Sequence, residues 1–240
     1  MGFPAGIVEL VDILSQLGVE EAVICPGSRN APLMLALARH PKIHCYSISD
    51  ERSAGFFGLG LVLASKKPVI LCCTSGSAGL NFAPAVVEAF FQELPLLVFT
   101  ADRPAEWIGQ WDGQTIYQKE LYGNHVKQFI DFQTDLLQKP EYYLNVGMGA
   151  YQQASAEPKG PIHINCPFRD PLYPSDTALS ADQRGQCDLW LTSWPEPERP
   201  ASNALPAAID THEGKTLMVV LGQMSGSESI RVLEWAETHG

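Results

Sequence analysis

A chain of 240 residues with 45% apolar and 18% charged side chains is long enough for one sizeable core and too short for two full domains with their linkers. Its 27 acidic against 16 basic residues leave a formal net charge of -11, which argues against a nucleic-acid-binding surface. Met1 to Leu10 lack the basic flank of a signal peptide and no apolar run reaches the roughly 18 residues of a membrane span, so a cytoplasmic protein with no membrane partner is expected.

The chain then repeats one unit. A helical pattern from Ile7 to Leu17 ends at Gly18, a residue suited to a helix C-cap, and a short strand runs from Ala22 to Cys25. Pro26-Gly27-Ser28-Arg29-Asn30 breaks the chain before a helix from about Ala31 to Arg39. The alternating Ile43 to Ile48 reads as the second strand; Glu51 opens the next helix, whose apolar body is Phe56 to Ala64. After Pro68, Val69 to Cys73 is a continuous β-rich run of the type buried on both faces, followed by the corner Thr74 to Gly79. A single helix is predicted from about Leu80 to Glu93, with Pro84 in its early turns. The fourth strand is Leu96 to Thr100, with Ala101-Asp102-Arg103-Pro104 as its corner and an irregular stretch over Trp107 to Gln118. A weaker strand near Gln128 to Phe132, a helix near Glu141 to Ala156 and a strand Ile162 to Cys166 complete the alternation. Strands alternating with helices through short corners predict an α/β fold, a mostly parallel doubly wound sheet with helices on both faces.

From Pro167 the composition turns Pro-rich and aperiodic, the profile of an extended linker. Thr216 to Gly222 then reads as a fresh strand and Glu228 to Thr238 as a helix, which together cannot bury their own apolar faces. The expected organisation is a domain over 1–170, a linker over 171–206 and the start of a second α/β domain over 207–240.

The six cysteines contain no CxxC pair, and four lie in apolar strand-like runs, so they are expected as buried free thiols. His163 and Cys166 belong to a strand, and no metal site is expected within this chain.

Chemistry concentrates at the corners. Glu51 sits where a strand meets a helix, the place ligands occupy in open α/β sheets, although a carboxylate there also compensates the helix dipole by a few tenths of a kcal/mol. Ser28 and Arg29 combine a hydroxyl, a guanidinium and free backbone N–H groups at a helix start, a set suited to an anion or equally to a surface carboxylate. Thr74-Ser75-Gly76-Ser77 resembles a phosphate cradle but lacks the Lys of a P-loop and the spacing of GxGxxG. Asp102-Arg103 reads as a salt-bridged turn, Gln114 as a loop amide, and Phe56-Phe57 and Phe90-Phe91 as core.

Together the motifs are more specific. Pro26-Gly27-Ser28-Arg29-Asn30-Ala31-Pro32, Asp50-Glu51-Arg52-Ser53-Ala54-Gly55-Phe56, Thr74-Ser75-Gly76-Ser77-Ala78 and Thr100-Ala101-Asp102-Arg103-Pro104 closely resemble the N-terminal part of the 2-succinyl-5-enolpyruvyl-6-hydroxy-3-cyclohexene-1-carboxylate synthase family. These are thiamine-diphosphate-dependent transferases of menaquinone biosynthesis, and the likeness covers roughly residues 5 to 170. It implies a pyrimidine-binding domain in which Glu51 bonds the aminopyrimidine ring of the cofactor, with Thr74, Ser75 and Gly76 beside it. A carboxyl withdrawn from water can share a proton with the ring nitrogen, and this activates the cofactor. The family decarboxylates 2-oxoglutarate and adds the resulting succinyl-semialdehyde carbanion to isochorismate; both substrates carry two carboxylates, and Ser28, Arg29, Arg103 and Gln114 match substrate-contacting positions. Asp112-Gly113 depart from the Ala-Asn that relatives often carry before that Gln.

Family members continue into a diphosphate-binding domain whose Gly-Asp-Gly and Asn residues hold Mg2+ (or Mn2+) and the cofactor diphosphate, and that cassette is absent from this sequence. The active site is shared between subunits of a homodimer or homotetramer. The chain is therefore expected to be part of a longer enzyme and silent alone. A thiamine enzyme acting on pyruvate, as carboligase or decarboxylase, and a non-enzymatic α/β binding domain are the alternatives.

Overall fold

The computed structural model describes residues 6–134 and 138–173, together with Ile230, Arg231, Glu234, Trp235 and Glu237. The chain divides into two compact units, Met1–Trp194 and Pro195–Gly240. In the second unit the described positions are helical and fall within the predicted 228–238 helix; the strand predicted over 216–222 and nearly all of the 171–206 linker lie outside the described residues.

The first unit alternates as its hydrophobic pattern demands. Helix α1 (Ile7–Gln16) buries Ile7, Leu10, Val11, Ile13 and Leu14, one stripe at helical spacing, and gives way at Gly18, whose φ of 108° suits a residue without Cβ. Strand β1 (Glu21–Ile24), helix α2 (Ala31–Ala38), strand β2 (His44–Ser47), helix α3 (Glu51–Ser65) and strand β3 (Val69–Cys73) follow. Then come α4 (Ser77–Asn81), α5 (Ala83–Phe91), β4 (Leu96–Asp102), β5 (Gln128–Asp131), α6 (Pro140–Ser155) and β6 (Ile162–Pro167).

The six strands form one parallel sheet in the order β2-β1-β3-β4-β6-β5. Side chains along the strands alternate between two cores, as the pleat requires. In β3, Val69, Leu71 and Cys73 join Val62, Phe82, Val86 and Ala89 on one face. Ile70 and Cys72 join Leu10, Leu14, Leu37 and Met148 on the other. Helices thus cover both faces, which is why β3 and β4 are buried at every position.

Two expectations give way to packing. The single helix over 80–93 is two, because Pro84 has no N–H to continue the ladder and its ring opposes the preceding turn; α4 begins earlier, at Ser77, and α5 restarts at Ala83. Phe56 and Phe57 are 48% and 41% exposed and Phe91 is 70% exposed, rather than core. Helix α3 packs through its small residues: a Cβ on Gly55 would stand 2.7 Å from Ala85 Cβ, and one on Gly58 2.5 Å from Leu71 Cδ2. With that narrow face inward, the phenylalanines are left on the outside.

Candidate active site

In the sheet order the chain leaves β1 for β2 on one side and returns to β3 on the other, which makes the β1–β3 gap a switch point where a crevice opens beyond the strand ends. The corner after β1 is held by Asn30, buried completely, whose side-chain amide donates to Cys25 O at 2.9 Å and lies 3.7 Å from Cys72 Sγ. Gly27 lets this corner touch the next one: a Cβ there would stand 2.4 Å from Thr74 Cβ. Thr74, Ser75 and Gly76 are buried, and Gly76 takes a φ of 84° with its missing Cβ facing the backbone of Gln114 at 3.0 Å.

Asp50 caps α3 by accepting from Ser53 N at 2.7 Å, and this fixes the direction in which Glu51 starts the helix. Glu51 is half-buried, and among the described residues it makes no hydrogen bond or ion pair. Its charge is felt by the thiols at the ends of β1 and β3. Burial first, and the Glu51 charge after it, push the Cys25 thiol up to about 12, and Cys73 is raised by burial with Glu51 among the further causes.

Two guanidiniums frame the same crevice. Arg29 is 8% exposed; its Nη1 donates to Phe168 O at 2.9 Å and stands 3.7 Å from Asp170 Oδ2, and the guanidinium lies 5.5 Å over the Trp107 ring. Its Nε is buried with no partner among the described residues. Burial, and then the neighbouring charge of Arg103, lower the Arg29 pKa. Arg103 donates Nη1 to Ser75 Oγ at 2.5 Å, Nη2 to Gly113 O at 3.0 Å and Nε to Asp112 Oδ2 at 3.5 Å. The two guanidiniums are close enough to repel, and each has one carboxylate beside it, Asp170 for Arg29 and Asp112 for Arg103.

Asp102 and Arg103 are not the salt-bridged turn expected of them. Asp102 Oδ1 accepts from the Arg103 backbone N at 2.7 Å, and the Arg103 side chain reaches instead to the loop over 112–113 and to Ser75. Asp112 and Gly113, the two residues that depart from the pattern the resemblance implies, are two of the three partners of the Arg103 side chain, with Ser75 the third. Gln114 is brought to the Gly76 corner by its backbone, with φ 56° and an exposed side chain; Ser28 is exposed at the first corner.

The structure adds a buried polar row that sequence reasoning passed over: Thr100, Gln118, His163 and Asn165. Thr100 Oγ lies 2.7 Å from His163 Nε2 and donates to Asn165 Oδ1 at 2.8 Å. Its signal was present as His163 and Asn165 at alternate positions of an otherwise apolar strand, which places both on one face. Burial lowers the His163 pKa to about 3, so its ring is neutral. Among the described residues, no cluster of three or more His, Cys, Asp or Glu side chains could hold a metal ion, and no helix is long and apolar enough to cross a membrane. Cys25, Cys45, Cys72, Cys73 and Cys166 are free thiols, and Cys187 lies outside the described residues.

Residues 8–126 match the family described as thiamine pyrophosphate enzyme, N-terminal TPP binding domain. The chain is 50% identical over 172 residues to a 2-succinyl-5-enolpyruvyl-6-hydroxy-3-cyclohexene-1-carboxylate synthase of Cytophaga hutchinsonii, covering 70% of this chain and 30% of that protein. Proteins of the same name from Geobacillus kaustophilus and Porphyromonas gingivalis are 49% identical over 170 residues and 44% over 181; the matches take in 69% and 75% of this chain and 29% and 31% of theirs. The chain spans about three-tenths of the length of these curated relatives.

Proposed function

Taking as premise that the chain belongs to the thiamine pyrophosphate enzymes, whose N-terminal TPP binding domain it carries over residues 8–126, we propose that it is the pyrimidine-binding part of a 2-succinyl-5-enolpyruvyl-6-hydroxy-3-cyclohexene-1-carboxylate synthase. The whole enzyme joins 2-oxoglutarate, after decarboxylation, to isochorismate. The observation that supports this reading is Glu51, a half-buried carboxylate without a bonding partner among the described residues, whose charge acts on Cys25 and Cys73 at the ends of β1 and β3.

The residues present suit the aminopyrimidine end of thiamine diphosphate. Gly27 and Gly76 let the corners after β1 and β3 and the Gln114 loop close on one another, and the Glu51 charge acts on Cys25 at the end of β1. The bound cofactor supplies the carbanion chemistry by which a 2-oxo acid loses carbon dioxide and is joined to an acceptor. Glu51 holds and returns the proton that the ring nitrogen exchanges during activation. Arg29 and Arg103, held by Phe168 O, Ser75 and the 112–113 loop, orient substrate carboxylates. Ser28 and Gln114 contribute further polar contacts from their exposed positions.

Mg2+ or Mn2+ and the diphosphate fall to a C-terminal domain of the longer protein, which is cytoplasmic. The exposed Phe56, Leu63, Leu80 and Phe91 on α3, α4 and α5 support a second subunit against this face in a homodimer or homotetramer. The test is turnover of the full-length protein with 2-oxoglutarate plus isochorismate against turnover with pyruvate. Preference for the dicarboxylate pair is expected; preference for pyruvate returns the chain to the carboligases and decarboxylases.

A further inference from the structure

The corner at Gly76 and the corner at Arg103 belong to different strands, yet one side chain ties them. Gln118, buried completely, accepts from Gly76 N at 2.8 Å with its Oε1. Its Nε2 donates to Ala101 O at 3.0 Å and to Asn165 Oδ1 at 2.9 Å. Both amide protons and the oxygen are thereby engaged, which leaves the side chain one orientation. Asn165 is locked in turn: Oδ1 also accepts from Thr100, and Nδ2 donates to Asp102 Oδ2 at 2.9 Å. Asp102 closes the row by receiving the Arg103 backbone N–H on its other oxygen. At the far end, the Thr100 proton is directed to Asn165, so His163 must donate from Nε2 to Thr100 Oγ. That leaves His163 Nδ1 as a lone-pair nitrogen with no partner among the described residues, in agreement with a neutral ring set between Tyr122 and Phe129.

We infer that Gln118 is a positioning residue, which sets the spacing and orientation of the Gly76 corner relative to Arg103 through the row Gln118–Asn165–Asp102. The inference rests on the reading of Gly76 as cofactor-facing and Arg103 as substrate-facing. Without Gln118, three groups that are paired inside the protein would be left facing nothing: the Gly76 N–H, the Ala101 carbonyl and one lone pair of Asn165. The Gly76 corner would then be free to turn on its φ of 84°, and Ser75, which receives Arg103 Nη1, would move with it.

The experiment uses the full-length holoenzyme and compares Gln118→Leu, Gln118→Glu and Arg103→Ala with wild type. The readouts are the thiamine diphosphate Kd by calorimetry, kcat and KM per active site, and Tm. Gln118→Leu is expected to raise the cofactor Kd at least about tenfold and to lower kcat per active site by about tenfold to a hundredfold, in line with a misplacement near 1 Å. Gln118→Glu keeps the size, and its protonated form offers one O–H and one acceptor. Its activity should recover at acidic pH and fall as pH rises, a limb that wild type lacks. A residue that serves folding alone would reduce Tm and the number of active sites while Kd and kcat per site stay within twofold; that result, or a Gln118→Glu profile parallel to wild type, overturns the inference. Arg103→Ala separates the two readings. If it leaves the substrate KM unchanged, the site assignment fails and takes the inference with it; if it impairs KM while both Gln118 variants match wild type, the inference alone fails.

Discussion

Gly27→Ala adds a single methyl group at the point where the corners after β1 and β3 meet. The new Cβ would lie 2.4 Å from Thr74 Cβ and 2.8 Å from both Thr74 Cγ2 and Oγ1. Carbon atoms pack at about 3.5 to 4.0 Å, so the corners must separate by about 1 Å. Thr74 is buried and directly follows β3, so little of that shift can be taken up by side-chain rotation. Overpacking of this kind costs about 1 to 3 kcal/mol, and each kcal/mol lowers Tm by about 2 to 4 °C in a chain of this size. Gly60→Ala is the matched control, since nothing lies within 4 Å of its Cβ position on α3, and helix propensity alone should stabilise by about 0.5 to 1 kcal/mol. Thermal unfolding followed by circular dichroism should therefore place Gly27→Ala below wild type and Gly60→Ala slightly above it. In the full-length protein Gly27→Ala should also weaken thiamine diphosphate binding at least tenfold. A Gly27→Ala protein that melts at or above wild type with unchanged cofactor affinity would refute the close contact of the two corners.

Other consequences are as direct. His163 has its pKa lowered by burial from 6.5 to about 3, so the unfolded chain binds a proton the folded chain refuses over that window; stability is lost as pH falls from about 6.5 towards 3, by up to about 1.4 kcal/mol per pH unit. His163→Gln keeps a donor for Thr100 and should flatten this acid limb in urea midpoints measured from pH 4 to 8; an unchanged limb contradicts the assignment. Cys25, Cys72, Cys73 and Cys166 are buried, with Cys25 and Cys72 pushed up to about 12, chiefly by burial. Mass-spectrometric mapping after brief alkylation at neutral pH should find these four protected in the folded protein and modified in urea, whereas modification of Cys25 at the rate of a free thiol would show the β1 corner to be open.

The fold was legible because its signals are local and mutually consistent. Val69 to Cys73 has no polar residue, so it could only be a strand covered on both faces, and it occupies those bounds in the centre of the sheet. The corners were marked by the Gly, Ser and Asp residues that such turns need, and the sheet order then brings Ser28, Arg29, Thr74 to Gly76 and Arg103 to the same end of the strands. The sequence was a poorer guide to which face of α3 is inward. Gly55 and Gly58 bring the helix close, but two adjacent phenylalanines carry the stronger hydrophobic signal. The partners of Arg103 were also hidden, because nothing local links it to Ser75 or Gly113. Gln118 and Asn165 stand 47 residues apart and meet only once β6 is laid beside β4.

The most direct measurement is turnover of the full-length protein carrying Glu51→Gln, which keeps the side chain's size and its place at the start of α3 while removing the proton it exchanges. The account predicts kcat at least about a hundredfold below wild type, with folding and thiamine diphosphate binding retained. Turnover close to wild type in a protein that folds and binds the cofactor would contradict it.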